Sequence, residues 1–341
     1  MDERQGAPER SSTKVHLDYS HYENGRFDRS GSFIIEGIDD AGQKEVLYPM
    51  YDAFILNPIA GAGFARDTMA KLEAILQERR VPFRVLVTEK PHHATELAST
   101  LRSDPEARCV VSVGGDGTAF EVASGLAGGE KPMGIIPAGT GNDFIKSAGI
   151  PKDPVSALET VLRGKPVPVD LGRLNESSFL NVCGTGFDVT VLDNAESFKS
   201  RYRGLLPYLL GLLKAIFSYR PVHLKLTVDG EPEEGDYLIC SVANGRFIGG
   251  GIPICPAAEI SDGLLDLVLV ENVPRRKIPL YLPGLMMGKV LDFKCTRHRL
   301  VREVSFEGQG LRVNVDGEIL SMDSAHFGIR EKALRLILPS A

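Results

Sequence analysis

The sequence predicts a two-lobed protein in which an α/β lobe precedes a lobe rich in β-strands. Between residues 53 and 136, short apolar runs alternate with segments of helical spacing, the pattern of a parallel sheet covered by helices. After Pro151, short strands and turns follow one another in a cadence typical of an antiparallel sandwich or barrel. The 341 residues, 43% of them hydrophobic, are enough for roughly two domains with a real core.

Apolar runs and helical stripes predict the elements of the first lobe. The predicted strands are 53–56, 83–88, 109–113 and 134–136, and the predicted helices are 65–79, 95–101 and 119–126. After Pro151 we expect a helix at 155–163, a helical insertion at 198–218, and strands at 167–171, 178–182, 222–228, 237–244, 264–270, 302–307 and 311–315. The last strand, 334–338, is expected to return to the first lobe.

These elements predict an accessory arm (1–50), an α/β domain (51–168 plus about 323–341) and a β-rich acceptor domain (169–322).

Three glycine-rich turns follow strands of the first lobe: NPIAGAG (57–63), GGDGT (114–118) and PAGTGND (137–143). Glycines let the backbone turn sharply and approach a ligand, and the first amides of a helix favour a phosphate. A tight turn without a ligand also uses glycines. Because ligands of such sheets bind beyond the carboxyl ends of the strands, all three turns are expected at one ligand-binding edge, together with Thr88.

Composition limits the possible partners and compartment. The net charge of −6 argues against broad nucleic-acid binding. The five cysteines are scattered without C-x-x-C spacing, which predicts a reducing, cytoplasmic compartment, no zinc site and mostly buried thiols. The most apolar run, residues 204–213, is too short to cross a bilayer, so any membrane contact is expected to be peripheral, at the inner face.

Through five motifs, the chain resembles the diacylglycerol kinase catalytic-domain family, in particular the bacterial soluble lipid kinases. The matching motifs, in the family's order, are NPIAG (57–61), GGDGT (114–118), PAGTGNDF (137–144), ISDGLLDL (260–267) and VDGE (315–318). The resemblance implies an α/β domain similar to that of NAD kinases, then a β-sandwich-like domain. It also implies ATP-dependent transfer of a phosphoryl group to a lipid hydroxyl, with Mg²⁺.

The resemblance assigns roles to individual residues. Glu318 is expected to accept the proton of the acceptor hydroxyl, with Asp316 beside it, and Asp116 to contact Mg²⁺, to orient the hydroxyl or to act as the base itself. A second Mg²⁺ is expected at Asp262 with the carbonyl oxygens of Glu259 and Leu264. The expected nucleotide contacts are Asn57, Pro58, Gly61, Thr88, Gly114, Gly115, Asp116, Gly117, Thr118, Thr140, Asn142 and Asp143.

Several of these residues have plainer explanations. Asn142 and Asp143 are equally suited to cap a helix. Asp316 and Glu318 point to the same face only if their segment is extended. Asp-Gly also forms ordinary hairpin turns, and residues 229–231 repeat the DGE composition without a family match. Asp262 is suited to closing a turn as well.

Two stretches, 199–214 and 275–299, mix basic and apolar residues. They are expected either to lie on an anionic membrane surface or to be buried helices with solvated basic ends. A homodimer contact is a further possibility.

The sequence therefore predicts a lipid kinase that meets its substrate at a membrane surface and uses ATP and Mg²⁺, with diacylglycerol as the first acceptor to test. Two rival interpretations stay open. An NAD kinase shares GGDGT, and a lipid- or nucleotide-binding regulator would bind without turnover.

Overall fold

The computed structural model describes residues 25–27, 33–38, 44–47, 50–199, 201–202 and 206–340. Strands β1 (Gly25–Phe27), β2 (Phe33–Ile38) and β3 (Lys44–Leu47) form an antiparallel sheet of their own. The rest of the predicted accessory arm, and Ser200 and Arg203 of the first basic stretch, lie outside the described residues.

The first lobe is a parallel sheet with helices, as the sequence predicts. Its strands are β4 (Tyr51–Leu56), β5 (Phe83–Val87), β6 (Ala107–Gly114) and β7 (Pro132–Pro137), in the spatial order β7-β6-β4-β5. Its helices are α1 (Phe64–Glu78), α2 (His93–Leu101), α3 (Asp116–Leu126), α4 (Phe144–Ser147) and α5 (Pro154–Arg163). Strand β6 is central and buried on both faces, which explains why it reads as an unbroken apolar run.

The second lobe continues the same sheet with antiparallel strands. They are β8 (Lys165–Leu174), β9 (Ser177–Phe179), β10 (Val182–Gly186), β11 (Val222–Val228), β12 (Glu231–Ala243), β15 (Leu265–Glu271), β16 (Thr296–Val301), β17 (Glu303–Val315) and β18 (Glu318–Leu338). Strands β13 (Phe247–Ile248) and β14 (Ile252–Pro253) form a separate small hairpin. The helices are α6 (Phe187–Lys199), α7 (Leu206–Ser218) and α8 (Ile278–Met286).

Strand β18 joins the lobes. Its first half pairs with β17 in the second lobe, and its last residues pair in parallel with β7 of the first lobe, Arg335 opposite Pro132. Leu334 and Leu336 accordingly belong to the core of the first lobe, whereas Phe327 belongs to a core of the second. The domain boundaries predicted above stay a prediction, but the return of the last strand is observed.

Three local predictions differ from the structure. The strand predicted at 178–182 is two strands, β9 and β10, with a break at Leu180 and Asn181. The strands predicted at 302–307 and 311–315 are one strand, β17, with an irregularity between Glu307 and Leu311. The helical insertion begins earlier, because α6 already starts at Phe187. Four cysteines are buried, as expected, and Cys295 is partly exposed.

Candidate active site

The three glycine-rich turns lie against one another beyond the carboxyl ends of β4, β6 and β7. A Cβ atom on Gly139 would lie 2.2 Å from the Cα atom of Gly115, so the second and third turns touch backbone to backbone. A Cβ atom on Gly61 would lie 2.4 Å from the carbonyl oxygen of Ala138, which brings the first turn against the third. The turns therefore converge, and glycine is required where they touch.

We expect Gly139→Ala to push the second and third turns apart, because its Cβ would overlap backbone that cannot rotate away. The loss of stability should be about 1–3 kcal/mol, typical of overpacking. The control is Gly117→Ala, since a Cβ there meets nothing within 4 Å and alanine favours a helix. Thermal unfolding of both variants tests this, and equal melting temperatures would contradict the backbone contact.

Asn57 links the first two turns. Its N–H donates to the carbonyl oxygen of Val113 at 3.0 Å, and its side-chain Nδ2 donates to the Thr118 hydroxyl at 3.2 Å. A Cβ on Gly114 would lie 2.4 Å from the same hydroxyl oxygen. These residues therefore hold the two turns together, whatever else they contact.

The other predicted nucleotide contacts lie along the same edge. Pro58 follows Asn57, and Gly117 is exposed in the first turn of α3. Thr140 is exposed at the tip of the third turn. Thr88 follows β5, and its N–H donates to the carbonyl oxygen of Leu56 at 2.9 Å. Their contacts with a nucleotide stay predictions.

Asp116 begins α3 and acts on the third turn. Its Oδ1 accepts hydrogen bonds from the backbone N–H groups of Asp143, at 2.6 Å, and Phe144, at 3.1 Å. Asp116 is therefore the residue that caps the start of α4. Burial raises the pKa of the Asp116 carboxyl, and the charge of Asp143 adds to this, while the backbone hydrogen bonds oppose it.

Asn142 and Asp143 have structural contacts, but neither side chain caps α4. Asn142 has φ +50° and exchanges two hydrogen bonds with the backbone of Gly139, which close the third turn. Asp143 sits at the N-cap position without a capping side-chain bond. Its carboxylate instead pairs with Lys146 at 2.7 Å and accepts from the N–H of Gly250 at 2.8 Å. Gly250 lies between β13 and β14, so Asp143 connects the two lobes.

The VDGE motif forms a tight hairpin between β17 and β18. Asp316 and Gly317 have φ values of +48° and +102°, so they are the turn residues, and Glu318 is the exposed first residue of β18. The segment is not extended, which removes the argument that Asp316 and Glu318 share a strand face. The Asp316 carboxylate accepts from the N–H groups of Leu180, Asn181 and Val182 at 2.7, 2.9 and 3.0 Å.

Acidic residues from both lobes meet beside the turns. Burial raises the pKa of Asp316 to about 6, the three backbone hydrogen bonds oppose this, and the charge of Asp116 adds to it. The interaction with Asp116 means that the hairpin of the second lobe faces the GGDGT turn of the first. The arrangement can bind phosphates with backbone amides while concentrating negative charge on one side, where a cation would be stabilised.

Comparisons with known proteins identify the family of the chain. The diacylglycerol kinase catalytic domain matches residues 53–174, and the YegS C-terminal NAD kinase beta sandwich-like domain matches residues 181–338. A diacylglycerol kinase of Mycobacterium tuberculosis is 32% identical over 293 residues, 84% of this chain and 94% of that protein. The chain belongs to the diacylglycerol kinase family of lipid kinases.

Two further relatives agree with that assignment and with the fold. A YegS-like lipid kinase of Pseudomonas putida is 36% identical over 233 residues, 68% of this chain and 77% of that protein. A crystal structure of a diacylglycerol kinase from Bacillus anthracis str. Sterne matches with a TM-score of 0.69 at 25% identity, over 85% of this chain and 97% of that one. The predicted fold, an α/β domain followed by a β-sandwich-like domain, is thereby confirmed.

In this lipid kinase, the loop predicted to hold a second Mg²⁺ closes a turn. The Oδ1 atom of Asp262 accepts from the N–H of Leu264 at 3.0 Å. Burial raises the pKa of Asp262, and the charges of Glu259 and the buried Asp170 add to this. Asp170 ties the loop to β18, because its oxygens accept from the N–H groups of Gly263 and Lys332.

No cluster of three or more His, Cys, Asp or Glu side chains in the described part of the chain could hold a metal ion. Mg²⁺ is often bound through one or two carboxylates, with water and substrate phosphates completing its shell. The predicted sets at Asp116 and at Asp262, the latter with the carbonyl oxygens of Glu259 and Leu264, are of that kind. Both stay predictions.

The basic and apolar stretches of the lipid kinase include α7 and α8, which have exposed apolar side chains, and the second stretch ends in β16 with Arg297 and Arg299. On α7 the exposed side chains are Leu206, Leu209, Leu213 and Phe217, which recur at helical spacing along one side. On α8 and after it, Leu280, Met286 and Met287 are exposed. Arg275 joins the two segments, since its Nη1 donates to the carbonyl oxygen of Phe217 at 3.3 Å. We call these residues the α7–α8 face.

Basic residues lie beside the α7–α8 face. Lys214, Arg275, Arg276 and Lys277 are all exposed beside it. Within the residues that the structure describes, no helix is both long enough and apolar enough to cross a bilayer. Each helix buries one side in the lobe, with Ile216 on α7 and Ile278 on α8, and leaves the other side exposed, with Phe217 at 79% exposure.

Sequence reasoning missed three residues near the glycine-rich turns and the VDGE hairpin: Lys146, Gly250 and Asp188. Lys146 pairs with the Asp143 carboxylate, and the N–H of Gly250 donates to the same carboxylate from the other lobe. The run Gly249-Gly250-Gly251, with φ of +61°, +89° and +125°, was the signal available for Gly250. Nothing in the spacing of the sequence distinguished Lys146 or Asp188 from other charged helix residues.

Proposed function

We propose that this chain transfers the γ-phosphoryl group of ATP to a lipid hydroxyl, with diacylglycerol as the acceptor and phosphatidic acid as the product. The observation that supports this most is the convergence of three glycine-rich turns at one edge of the sheet, close enough to Asp316 of the second lobe for the charge of Asp116 to contribute to the raised pKa of Asp316. Phosphoryl transfer needs mainly positioning and charge stabilisation, and this combination supplies both.

The proposal gives each of these side chains a role. The lipid oxygen forms a bond to the γ-phosphorus, the bond from that phosphorus to the β-phosphate oxygen breaks, and ADP leaves. Glu318, which is exposed at the hairpin, accepts the hydroxyl proton. Asp316 is held by three backbone N–H groups and fixes the hairpin against β9 and β10. Asp116 holds the start of α4, so it orders the third turn around the phosphates.

The donor set around Asp116 fits Mg²⁺. Burial raises the pKa of Asp116 and of Asp316, and the charge of Asp143 adds to the first and that of Asp116 to the second, so a cation beside Asp116 would be stabilised. Hard oxygen donors are the ligands that Mg²⁺ prefers. A bound Mg²⁺ would neutralise charge on the transferred phosphates.

This proposal does not place an acyl chain in the apolar cavity beneath α8. An apolar cavity beneath α8, lined by Phe187, Leu238 and Tyr281 among others, measures only about 30 Å³. That volume holds about one or two water molecules, not an acyl chain. The α7–α8 face instead offers apolar side chains and adjacent basic residues to an anionic bilayer, which would bring the hydroxyl to the site from the membrane.

Replacing Leu209, Leu213 and Phe217 together by serine is expected to lower binding to anionic vesicles at least fivefold, because the apolar anchor is lost. Replacing Arg275 and Arg276 by glutamine should reduce the salt dependence of binding, since fewer cations then face the lipid. Val155→Ser, an exposed apolar residue on α5, is the control. Cosedimentation with phosphatidylglycerol vesicles at low and high salt measures both effects. Unchanged binding of the triple variant would exclude this face.

Radiolabelled γ-phosphate from ATP tests the activity. The label is offered with diacylglycerol, phosphatidylglycerol, a sphingoid base and NAD in mixed micelles, and the labelled product is identified by chromatography. We expect label in phosphatidic acid, dependent on Mg²⁺. Label in another lipid would change the acceptor, label in NADP would favour an NAD kinase, and no label with any acceptor would favour a binding regulator.

A further inference from the structure

Asp188 occupies an unusual place at the start of α6. It follows β10 by a single residue and lies beneath the sheet, where its Oδ2 accepts from the Nδ2 of Asn314 at 3.1 Å. Its other oxygen, Oδ1, is buried and has no hydrogen-bond partner among the described residues. A Cβ on Gly184 would lie 3.1 Å from Oδ2, so the backbone of β10 packs closely around this carboxylate.

Asn314 also contacts the hairpin formed by Asp316 and Gly317. Its Oδ1 accepts from the N–H of Gly317 at 2.9 Å. Gly317 is the second turn residue, with φ +102°, and it immediately precedes Glu318. Two hydrogen bonds in series therefore connect the first turn of α6 with the peptide next to the expected base.

The carboxylate decides which way the Asn314 amide points. An amide side chain can rotate by half a turn and exchange its oxygen for its nitrogen. Because an ionised carboxylate only accepts hydrogen bonds, Asp188 holds the NH₂ group of Asn314 toward itself. The oxygen of Asn314 is then left facing Gly317, the orientation that holds the turn.

Holding α6 against β17 does not require Asp188. Asp193, on the same helix, already forms a bidentate ion pair with Arg312 on β17. Burial raises the pKa of the Asp188 carboxyl, while the hydrogen bond from Asn314 and the backbone N–H groups of Val189 and Asp188 oppose this. Because Oδ1 is buried without a hydrogen bond of ordinary geometry to the described residues, the carboxylate lowers stability. A residue that costs stability beside a functional turn is typical of groups kept for activity.

We propose that Asp188 is a positioning residue that, through Asn314, orients the Asp316–Gly317 turn and thereby sets the position of Glu318 for proton transfer. This inference rests on the proposed kinase function. Its signature is a loss of kcat without a loss of ATP or lipid binding, since Asp188 touches the turn only through Asn314.

Two variants and a matched control test the inference on the full chain. Asp188→Ala is expected to lower kcat at least tenfold while changing KM for ATP and for lipid less than twofold. Asp193→Ala, which removes the other link between α6 and β17, should leave kcat within twofold. Equal losses of kcat in both variants, or a raised KM for lipid with normal kcat in Asp188→Ala, would overturn the proposal.

Exchanging the two partners gives a rescue test. Asn314→Asp alone places two carboxylates together and should lose at least as much kcat as Asp188→Ala. In the double variant Asp188→Asn with Asn314→Asp, an amide again donates to a carboxylate that still accepts from Gly317. We expect kcat to return to within about threefold of the wild-type value, and a double variant no better than the worse single variant would overturn the proposal.

Hydrogen exchange at the Gly317 amide separates this inference from the proposed function, because it needs no activity. Exchange should accelerate at least fivefold in Asp188→Ala and remain unchanged in Asp193→Ala. Unchanged Gly317 exchange in Asp188→Ala would overturn the positioning role even if kinase activity is found. A wild-type protein that phosphorylates no lipid would reject the proposed function, while the exchange comparison would still decide whether Asp188 orders the turn.

Discussion

Asp116→Asn is expected to keep the fold and lose most Mg²⁺-dependent turnover. The asparagine Oδ1 can still accept the N–H groups of Asp143 and Phe144, so the start of α4 stays capped. What disappears is the negative charge opposite Asp316. Removing a group that stabilises charge in the transition state commonly costs about 10²–10³ in kcat, and we expect a loss of that size.

The comparison with Asp116→Ala separates the cap from the charge. The alanine variant loses both, so its melting temperature should fall below that of Asp116→Asn, while both variants lose turnover. A second readout is the pKa of Asp316, which should fall slightly from about 6 in Asp116→Asn, because the charge of Asp116 is removed while burial, the largest cause of the rise, remains. A Mg²⁺ titration of kcat identical to that of the wild type would count against the assignment of Asp116.

The first lobe and its turns were predictable because their information is local. Strands such as β6 are apolar, β-branched and bounded by glycine, and parallel strands bring their carboxyl ends to one edge whatever the loops contain. The glycines of the turns also indicated close approach of the backbone, and Gly115, Gly139 and Gly61 are positions where backbone meets backbone. Periodicity and turn chemistry were sufficient for this half.

The interlobe contacts were not predictable because they join residues far apart in the chain. Asp143 bonds to Gly250 across 107 positions, and Asp316 accepts from the N–H groups of Leu180, Asn181 and Val182 across 134 to 136 positions. The break between β9 and β10 has the same origin. Leu180 and Asn181 direct their N–H groups to Asp316 at this break. A carboxylate from another strand thus overrides a local run that reads as one strand.

The two DGE sequences show most directly that composition alone does not identify a functional turn. Asp229 and Gly230 form the hairpin turn between β11 and β12 with φ values of +48° and +88°, nearly the values of Asp316 and Gly317. Asp229 even accepts two backbone N–H groups, from Arg302 and Glu303, as Asp316 accepts three. Local structure is therefore the same at both hairpins. The Asp316–Gly317 hairpin is the candidate for a catalytic role because the charge of Asp116, in the first lobe, acts on Asp316.

Glu318→Gln is expected to remove most turnover and leave ATP affinity nearly intact. The side chain is exposed at the start of β18, so the exchange of an oxygen for an NH₂ group should leave the melting temperature unchanged. A general base contributes about 10²–10⁴ to the rate, and glutamine cannot accept the hydroxyl proton.

Glu231→Gln is the matched control for this prediction, because Glu231 follows the other Asp-Gly turn and begins β12 as Glu318 begins β18. It should retain wild-type kcat. Single-turnover transfer of labelled phosphate to lipid and equilibrium binding of ATP, measured for both variants, separate chemistry from affinity. If Glu318→Gln transfers phosphate at a near-normal rate, the proton must go elsewhere. Asp116 would then be the carboxylate left to receive it, because Asp316 already accepts three backbone hydrogen bonds.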